Sequence, residues 1–250
     1  MPTNSALIIR PNYCVVTRYG SAYMTQILDS ANSKSLPTID LHGTEATASN
    51  FFSNLETQDP ILVSILGHGS YNLIACQDGE TLLVGGSNDY VLDGRVVYDL
   101  SCQSGRDLGA SAVANGAISF LGYTEDFWVC LSEGEHSDGG MLNPLQDEVA
   151  RGFLESHNVA PISYINGSTI ENSYYNSQDR FTYWLNVWES IDSGVASLLM
   201  WNRDHQILHL FREDPIISTT PTPPSEKAGI APLALAFAPL LILPLMKKLK

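Results

Sequence analysis

The sequence predicts an α/β protein whose central sheet is mostly parallel and is covered by helices on both faces. Two observations lead to this prediction: strand-like and helix-like segments alternate along the first 66 residues, and the strand-like segments are apolar almost throughout. Strands that are buried on both faces have continuous apolar runs, whereas half-exposed strands alternate apolar and polar residues. Parallel neighbours also need a crossover between them, which the intervening helices supply.

The amino-terminal half of the chain shows this alternation most clearly. Helical spacing of apolar side chains predicts two helices, and short apolar runs predict the strands between them. Beyond the third strand, two apolar segments on either side of Asp78-Gly79 predict a small hairpin. The predicted elements are strands at 6–10, 36–41 and 60–67, helices at 21–33 and 45–56, and hairpin strands at 72–76 and 81–84.

The second half of the chain continues with further strands and helices. The segment 133–143 is rich in Gly, Ser and acidic residues and is predicted to be a mobile loop. Two apolar runs, at 197–201 and 206–211, end this part of the chain. The other predicted elements are strands at 95–101 and 117–121 and helices at 108–113, 144–156 and 170–193.

The predicted domain covers residues 1–215, and the residues that follow it have a different composition. Residues 216–227 are rich in Pro, Ser and Thr and predict an extended linker. Residues 228–246 carry no charge, and as a helix they would span ~28 Å, close to the ~30 Å core of a bilayer. We expect a hydrophobic carboxyl-terminal helix that anchors the protein in a membrane, followed by a basic tail at 247–250. Because this segment contains three prolines, a buried or flexible hydrophobic tail is the alternative.

The net charge argues against nucleic acid as a partner. The chain carries a formal charge of −14, and because its last three charged residues are lysines, residues 1–227 carry −17. So acidic a domain has no basic surface with which to neutralise phosphates. A domain of this charge tolerates a neutral or basic substrate better than an acidic one.

The four cysteines predict no metal site. Cys14, Cys76, Cys102 and Cys130 include no Cys-x-x-Cys pair and no Cys/His spacing typical of structural zinc. We interpret them as mostly free thiols, one of which is reactive, with a disulfide among the other three left open. Cys14 and Cys76 lie in apolar stretches, so we expect both to be small buried hydrophobic side chains.

Two apolar strands end in a reactive side chain that is followed by a turn. Residues 60–67 lead into His68, and residues 95–101 lead into Cys102. Catalytic groups of open α/β sheets gather at the carboxyl ends of the strands, so adjacent parallel strands would bring this imidazole and thiol together. A thiol beside an imidazole is the minimum requirement for nucleophilic catalysis by cysteine. His42, which is also followed by glycine, is interpreted as non-catalytic.

These motifs resemble those of the caspase-like clan of cysteine peptidases, and most closely its gingipain-type branch and prokaryotic relatives. The resemblance rests on an apolar strand that ends in His-Gly-Ser, at 67–70, and a later strand that ends in Cys-x-Ser-Gly, at 97–105. Further similarity lies at 108–109 and 115–123, and the whole resemblance covers roughly residues 5–215. It implies a caspase-like three-layer α/β/α sandwich.

The resemblance also implies a catalytic dyad that uses no cofactor. Cys102 is expected to be the nucleophile that attacks a peptide carbonyl, and His68 the acid/base that protonates the leaving amine. The backbone N–H groups of Gly69 and Cys102 are expected to form the oxyanion hole, where one donor often contributes ~3 kcal/mol. The substrate would be a peptide or a protein, and no metal is implied.

The residue two before the cysteine often helps to set primary specificity in this clan, and here it is Leu100. Strand alternation puts Leu100 on the same side as Cys102 and puts Asp99 on the opposite side. We therefore expect a largely apolar pocket that prefers uncharged side chains. Asp99, Glu125 and Asp126 are the alternative specificity residues.

Two other functions are compatible with the same residues. A catalytically silent member of the fold would serve as a membrane-tethered binding or signalling module, and an acyl transferase or transpeptidase would form the same thioester.

The sequence leaves open on which side of the membrane the domain lies. The lack of a visible signal peptide favours a cytoplasmic domain, whereas the basic tail and the linker favour a domain at the cell surface, which is our expectation.

Overall fold

The computed structural model describes residues 2–132 and 143–211. The predicted loop at 133–143, apart from its last residue, lies outside these ranges, as do the predicted linker, anchor helix and basic tail. Within the described ranges, no helix has both the length and the apolar character needed to cross a membrane.

Strands alternate with α-helices along the first 66 residues, as the sequence predicts, and runs of strands and of helices follow. In the first half of the described chain the elements are β1 (Thr3–Arg10), α1 (Val15–Tyr23), α2 (Thr25–Ser33), β2 (Thr38–His42), α3 (Ala48–Gln58), β3 (Pro60–Leu66), β4 (His68–Ser70), β5 (Leu73–Ala75) and β6 (Thr81–Val84). In its second half they are β7 (Val96–Leu100), α4 (Asp107–Ala114), β8 (Ser119–Tyr123), α5 (Glu148–Ile165), α6 (Ile170–Glu189), α7 (Ser193–His205) and β9 (Gln206–Leu210).

A six-stranded sheet forms the centre of the fold, in the order β2-β1-β3-β7-β8-β9. Its strands are parallel to their neighbours except that β9 is antiparallel to β8, which confirms the mostly parallel sheet. The prediction that β3 and β7 are adjacent and parallel is also confirmed, with Leu66 opposite Leu100. The carboxyl ends of these two strands therefore lie side by side.

Helices cover both faces of this sheet and give the fold three layers. One face packs against α1, α2, α5, α6 and α7 through a core that includes Tyr98. The other face packs against α3, α4 and the strands β5 and β6 through a second core that includes Phe51. Along β1, Ile8 lies in the first core and Ile9 in the second. Burial on both faces explains why the strand sequences are apolar throughout.

A second, antiparallel sheet in the order β4-β5-β6 follows β3. The strands β5 and β6 form the predicted hairpin, and Asp78 and Gly79 between them have φ of 56° and 80°. The sequence does not predict β4, which pairs with β5 so that Gly69 lies opposite Ile74. His68 is consequently part of a paired strand and not of an open loop.

Several element boundaries differ from the sequence-based prediction. The single helix predicted at 21–33 is two helices, because the helical hydrogen-bond pattern breaks at Met24, and the first of them begins at Val15. The helix predicted to end at residue 156 continues to Ile165, since its last turns are buried in the core. The strand β8 begins two residues later than predicted, and the apolar run at 197–201 lies inside α7.

Asp147 is fully buried and joins α5 to α1. As the N-cap of α5, its carboxylate accepts hydrogen bonds from the backbone N–H groups of Val149 and Ala150, both at 3.0 Å. The same carboxylate accepts from the Tyr19 hydroxyl at 3.0 Å and from the backbone and hydroxyl of Ser132 at 2.9 and 2.7 Å. One side chain thus caps a helix and fixes two other segments against it.

We expect Asp147→Ala to lower the free energy of unfolding by about 3 kcal/mol, because it removes the cap and leaves buried donors without an acceptor. Asp192 provides the matched control. It caps α7 in the same way, through Gly194 and Val195, but it is only half-buried. Asp192→Ala should cost about 1 kcal/mol. Urea unfolding of both variants measures the two losses, and equal losses would contradict the expectation.

Candidate active site

Three reactive side chains lie beyond the carboxyl ends of consecutive strands in the central sheet. Cys14 follows β1, His68 follows β3, and Cys102 follows β7. This edge of an open α/β sheet is where ligands and catalytic groups gather. The sequence predicts two of these three residues at the site, and the structure adds Cys14.

The backbone that follows β3 packs directly against the turn that follows β7. The N–H of Gly67 donates to the carbonyl oxygen of Leu100 at 3.3 Å. A Cβ atom at Gly69 would collide with the carbonyl oxygen of Cys102 and would lie 3.1 Å from its nitrogen. Only glycine therefore allows β4 to pass this close to the cysteine. The backbones of the two predicted oxyanion-hole residues are in this way brought next to each other.

Cys102 lies in a sharp turn between β7 and α4. The next residue, Gln103, has φ of 58°, which is the left-handed region that residues other than glycine rarely adopt. Its N–H donates to the carbonyl oxygen of Glu125 at 3.0 Å, and its side-chain amide donates to the Asp126 carboxylate at 2.9 Å. These hydrogen bonds hold the strained conformation, and the half-buried thiol of Cys102 donates to the carbonyl oxygen of Phe127 at 3.9 Å.

Asp99 lies beneath this turn and is fully buried. The hydroxyl of Ser101 donates to one of its oxygens at 2.9 Å, and the hydroxyl of Ser104 donates to the other. Burial raises the pKa of Asp99 to about 7, although both hydroxyl groups act to lower it. The carboxyl group of Asp99 therefore supports the cysteine turn from the interior.

The other predicted specificity residues lie in two different places. Leu100 is 4% exposed and belongs to the core on the face of the sheet that α1 and α5 cover. The hydroxyl groups that bind Asp99 lie on the opposite face. The predicted alternation along β7 is thus observed. Glu125 and Asp126 are half-buried in the segment after β8, where both contact Gln103.

The environment of Cys102 disfavours its thiolate. Burial raises the pKa of this thiol to about 11, and the negative charges of Asp126 and Asp99 add to the effect. At neutral pH the sulfur is therefore protonated in this conformation. Nucleophilic attack by Cys102 needs a base that removes the proton.

The ring of His68 contacts Cys14. Its Nε2 lies 3.3 Å from the Cys14 sulfur, and the Tyr13 ring packs edge-on against the imidazole with centroids 5.8 Å apart. Burial raises the pKa of Cys14, but hydrogen bonds from His68 and Thr17 outweigh burial and lower it to about 7. The same hydrogen bond raises the pKa of His68 against the effect of burial. The pair consequently favours a thiolate and an imidazolium.

The interpretation of Cys14 as a small buried hydrophobic side chain is wrong, because the residue is half-exposed and hydrogen-bonded. The same interpretation is confirmed for Cys76, which is fully buried. All four cysteines are free, so the disulfide that the sequence left open is absent from the described residues. The position of Cys14, four residues after the end of β1, was the available signal, since like His68 and Cys102 it lies beyond the carboxyl end of an apolar strand.

Comparison with solved structures reveals a similar fold in the gingipains. The chain aligns with a complex of the pro- and mature domains of RgpB from Porphyromonas gingivalis at a TM-score of 0.51 and 11% identity, over 86% of this chain and 48% of that chain. It aligns with the Arg-specific cysteine proteinase gingipain R (RgpB) at a TM-score of 0.51 and 15% identity, over 86% of this chain and 47% of that chain. No protein-family model and no curated protein matches the sequence.

These comparisons show a fold of the caspase-like type. The resemblance that the motifs indicated is confirmed at this level, since the similar solved structures are gingipains. The chain spans about half the length of the gingipain chains that it matches.

The raised pKa of Asp99 predicts a specific dependence of stability on pH. Folding favours the protonated carboxyl of Asp99. The stability that this carboxyl contributes is therefore fully present below 3.8, its pKa in the unfolded chain, and is lost as the pH rises through about 7. We expect the wild type to lose about 4 kcal/mol over this interval relative to Asp99→Asn, which imitates the protonated form. Urea unfolding between pH 4 and pH 8 measures this difference. The control is Asp29→Asn, at an exposed position of α2, and parallel pH profiles for all three proteins would refute the assignment.

Proposed function

We propose that the chain is a cysteine endopeptidase in which Cys102 is the nucleophile and His68 is the acid/base. The observation that carries this proposal is the close contact between Gly69 and the Cys102 turn at the ends of adjacent parallel strands. Because His68 immediately precedes Gly69, this backbone contact supports an imidazole and a thiol that act on the same substrate. The fold supports the same function, since a similar solved structure is that of a cysteine proteinase.

In the proposed reaction, His68 first takes the thiol proton, and the Cys102 sulfur attacks the carbonyl carbon of the peptide. The N–H groups of Gly69 and Cys102 stabilise the oxyanion, each by an amount on the order of 3 kcal/mol. His68 then gives its proton to the leaving amine, the C–N bond breaks, and a thioester remains on Cys102. Water that is deprotonated by His68 hydrolyses this thioester.

A catalytically silent binding module is the second candidate, and two observations favour it. The pKa of Cys102 is raised to about 11 by burial, and the ring of His68 is hydrogen-bonded to Cys14. Neither feature prevents folding or the binding of a peptide at this edge of the sheet. Measurement of turnover distinguishes the two candidates.

An acyl transferase or transpeptidase would use the same thioester, with an amine in place of water as the second substrate. Mass spectrometry of the products separates these reactions. Hydrolysis gives a free carboxylate at the new carboxyl terminus, whereas transfer gives a new amide when an amine nucleophile is present.

The membrane anchor belongs to the proposal on the strength of the sequence. The uncharged segment 228–246 and the basic tail 247–250 support it, together with the linker that precedes them. In this proposal the peptidase domain is tethered at the cell surface.

We expect Cys102→Ala to abolish peptide cleavage, because no other group replaces the sulfur that forms the thioester. His68→Ala should lower kcat by about 10² to 10⁴-fold, the usual contribution of a general acid/base. His42 is the matched control, since it is a histidine that ends β2 and is followed by glycine, and His42→Ala should retain activity. A fluorogenic peptide library measures turnover, and thermal melting checks folding. Full activity in Cys102→Ala would exclude the proposed nucleophile.

We expect a preference for uncharged side chains at the cleavage position, because Leu100 offers a buried charge no partner. The solved structure of gingipain R is of an Arg-specific enzyme, so the two proteins would differ here. The negative domain still attracts basic peptides over a distance of ~8 Å at physiological ionic strength, and salt screens this attraction. Cleavage after basic and uncharged residues is therefore compared at low and high salt. A preference for Arg that survives high salt would point to Glu125 or Asp126.

A further inference from the structure

Cys14 differs from the other three cysteines in its surroundings. It lies immediately before α1, is half-buried like Cys102, and holds its sulfur 3.3 Å from Nε2 of His68 and 3.3 Å from the Thr17 hydroxyl. The nine-residue helix α1 begins at the next residue, and a helix amino terminus stabilises a nearby negative charge. The thiol therefore has a cationic partner, a hydroxyl group and a favourable helix end beside it.

The ionisation of the four thiols follows from these surroundings. Hydrogen bonds to His68 and Thr17 lower the pKa of Cys14 to about 7 despite burial. Burial raises the pKa of the other thiols to about 11; these are Cys76, Cys102 and Cys130. At neutral pH, Cys14 is consequently the thiol with a substantial thiolate fraction.

We propose that Cys14 is a modification site of this protein, at which its thiolate reacts with small electrophiles and with peroxides, whose departing oxygen His68 protonates. The geometry needed for this reaction is the direct contact between the Cys14 sulfur and the His68 ring. The reactivity of Cys14 does not depend on the proposed peptidase function.

The reaction with hydrogen peroxide is balanced by these two residues. The Cys14 thiolate attacks one peroxide oxygen, a sulfur–oxygen bond forms, and the oxygen–oxygen bond breaks. The His68 imidazolium gives its proton to the departing hydroxide, so the products are Cys14 sulfenic acid, neutral His68 and water. The sulfur loses two electrons, which the peroxide gains.

Modification of Cys14 also changes the proposed active site, and this consequence rests on the proposed function. The thiolate is the negative partner that raises the pKa of His68. An alkylated or oxidised sulfur no longer supplies that charge, and an added group occupies space beside the ring. The rate of peptide cleavage should therefore change in step with modification of Cys14.

The first test is competitive labelling of the full chain with a limiting amount of iodoacetamide at pH 7, followed by mass spectrometry of each cysteine. A thiol with a pKa of 7 has about 5,000-fold more thiolate than one with a pKa of 11, and lower intrinsic nucleophilicity reduces this advantage by about 60-fold. We expect Cys14 to react more than tenfold faster than Cys76, Cys102 or Cys130. Faster labelling of any of these three would overturn the proposal.

The second test asks whether His68 is responsible. His68→Ala and the more conservative His68→Gln should each slow the labelling of Cys14 at least threefold, whereas Cys130→Ser, at a buried cysteine in the core that includes Tyr98, should leave the rate unchanged. Hydrogen peroxide with dimedone, which traps sulfenic acid, should give its first adduct on Cys14. An unchanged rate in both folded His68 variants would exclude the assigned role.

A third variant separates this inference from the proposed function. Cys102→Ala cannot form a thioester but keeps the pair of Cys14 and His68, so Cys14 should be labelled at the wild-type rate. Rapid labelling of Cys14 without any peptide cleavage by the wild type would refute the peptidase alone. Peptide cleavage together with slow labelling of Cys14 would refute the modification site alone.

Discussion

The parallel pairing of β3 with β7 is the constraint on which the site depends. Because Leu66 lies opposite Leu100, the two strands end at the same level of the sheet. The hydrogen bond from the Gly67 N–H to the Leu100 carbonyl oxygen extends their pairing past the last residue of β3. The segments that follow the two strands are therefore close enough for steric overlap. Overlap is avoided at Gly69, which has no Cβ atom, so that its backbone can pack against the backbone of Cys102. The close approach of the two motifs follows from the register and from this glycine.

Burial then determines which thiol is ionised. Desolvation raises the pKa of every cysteine in the chain, and it is the dominant effect at Cys76, Cys102 and Cys130. At Cys14 desolvation is again the largest single effect, but the hydrogen bonds from His68 and Thr17 together exceed it. The thiol that ionises most readily and the thiol at the end of β7 are therefore different residues. Both lie next to the segment that carries His68, so in the proposed reaction the chemistry of either one involves the same ring.

The sheet and the meeting of β3 with β7 could be predicted from the sequence, because they depend on patterns within short segments: apolar runs, helical spacing and a polar residue at a strand end. Contacts between distant segments leave no such pattern. Cys14 is 54 residues from His68, and the valines that follow it suggested burial instead of a polar contact. Strand alternation gave the correct side for Asp99 but not its surroundings, since the hydroxyl of Ser104 reaches it only after the chain has turned.

In the proposed mechanism, the two ring nitrogens of histidine let His68 serve both cysteines. Cys14 contacts Nε2, which leaves Nδ1 for a substrate at Cys102. The thiolate of Cys14 stabilises the imidazolium, as the raised pKa of His68 indicates. An imidazolium protonates a leaving amine readily, but it cannot accept the proton of the Cys102 thiol. The pairing therefore favours departure of the amine and opposes formation of the Cys102 thiolate, so its effect on turnover depends on which of these two steps is slower.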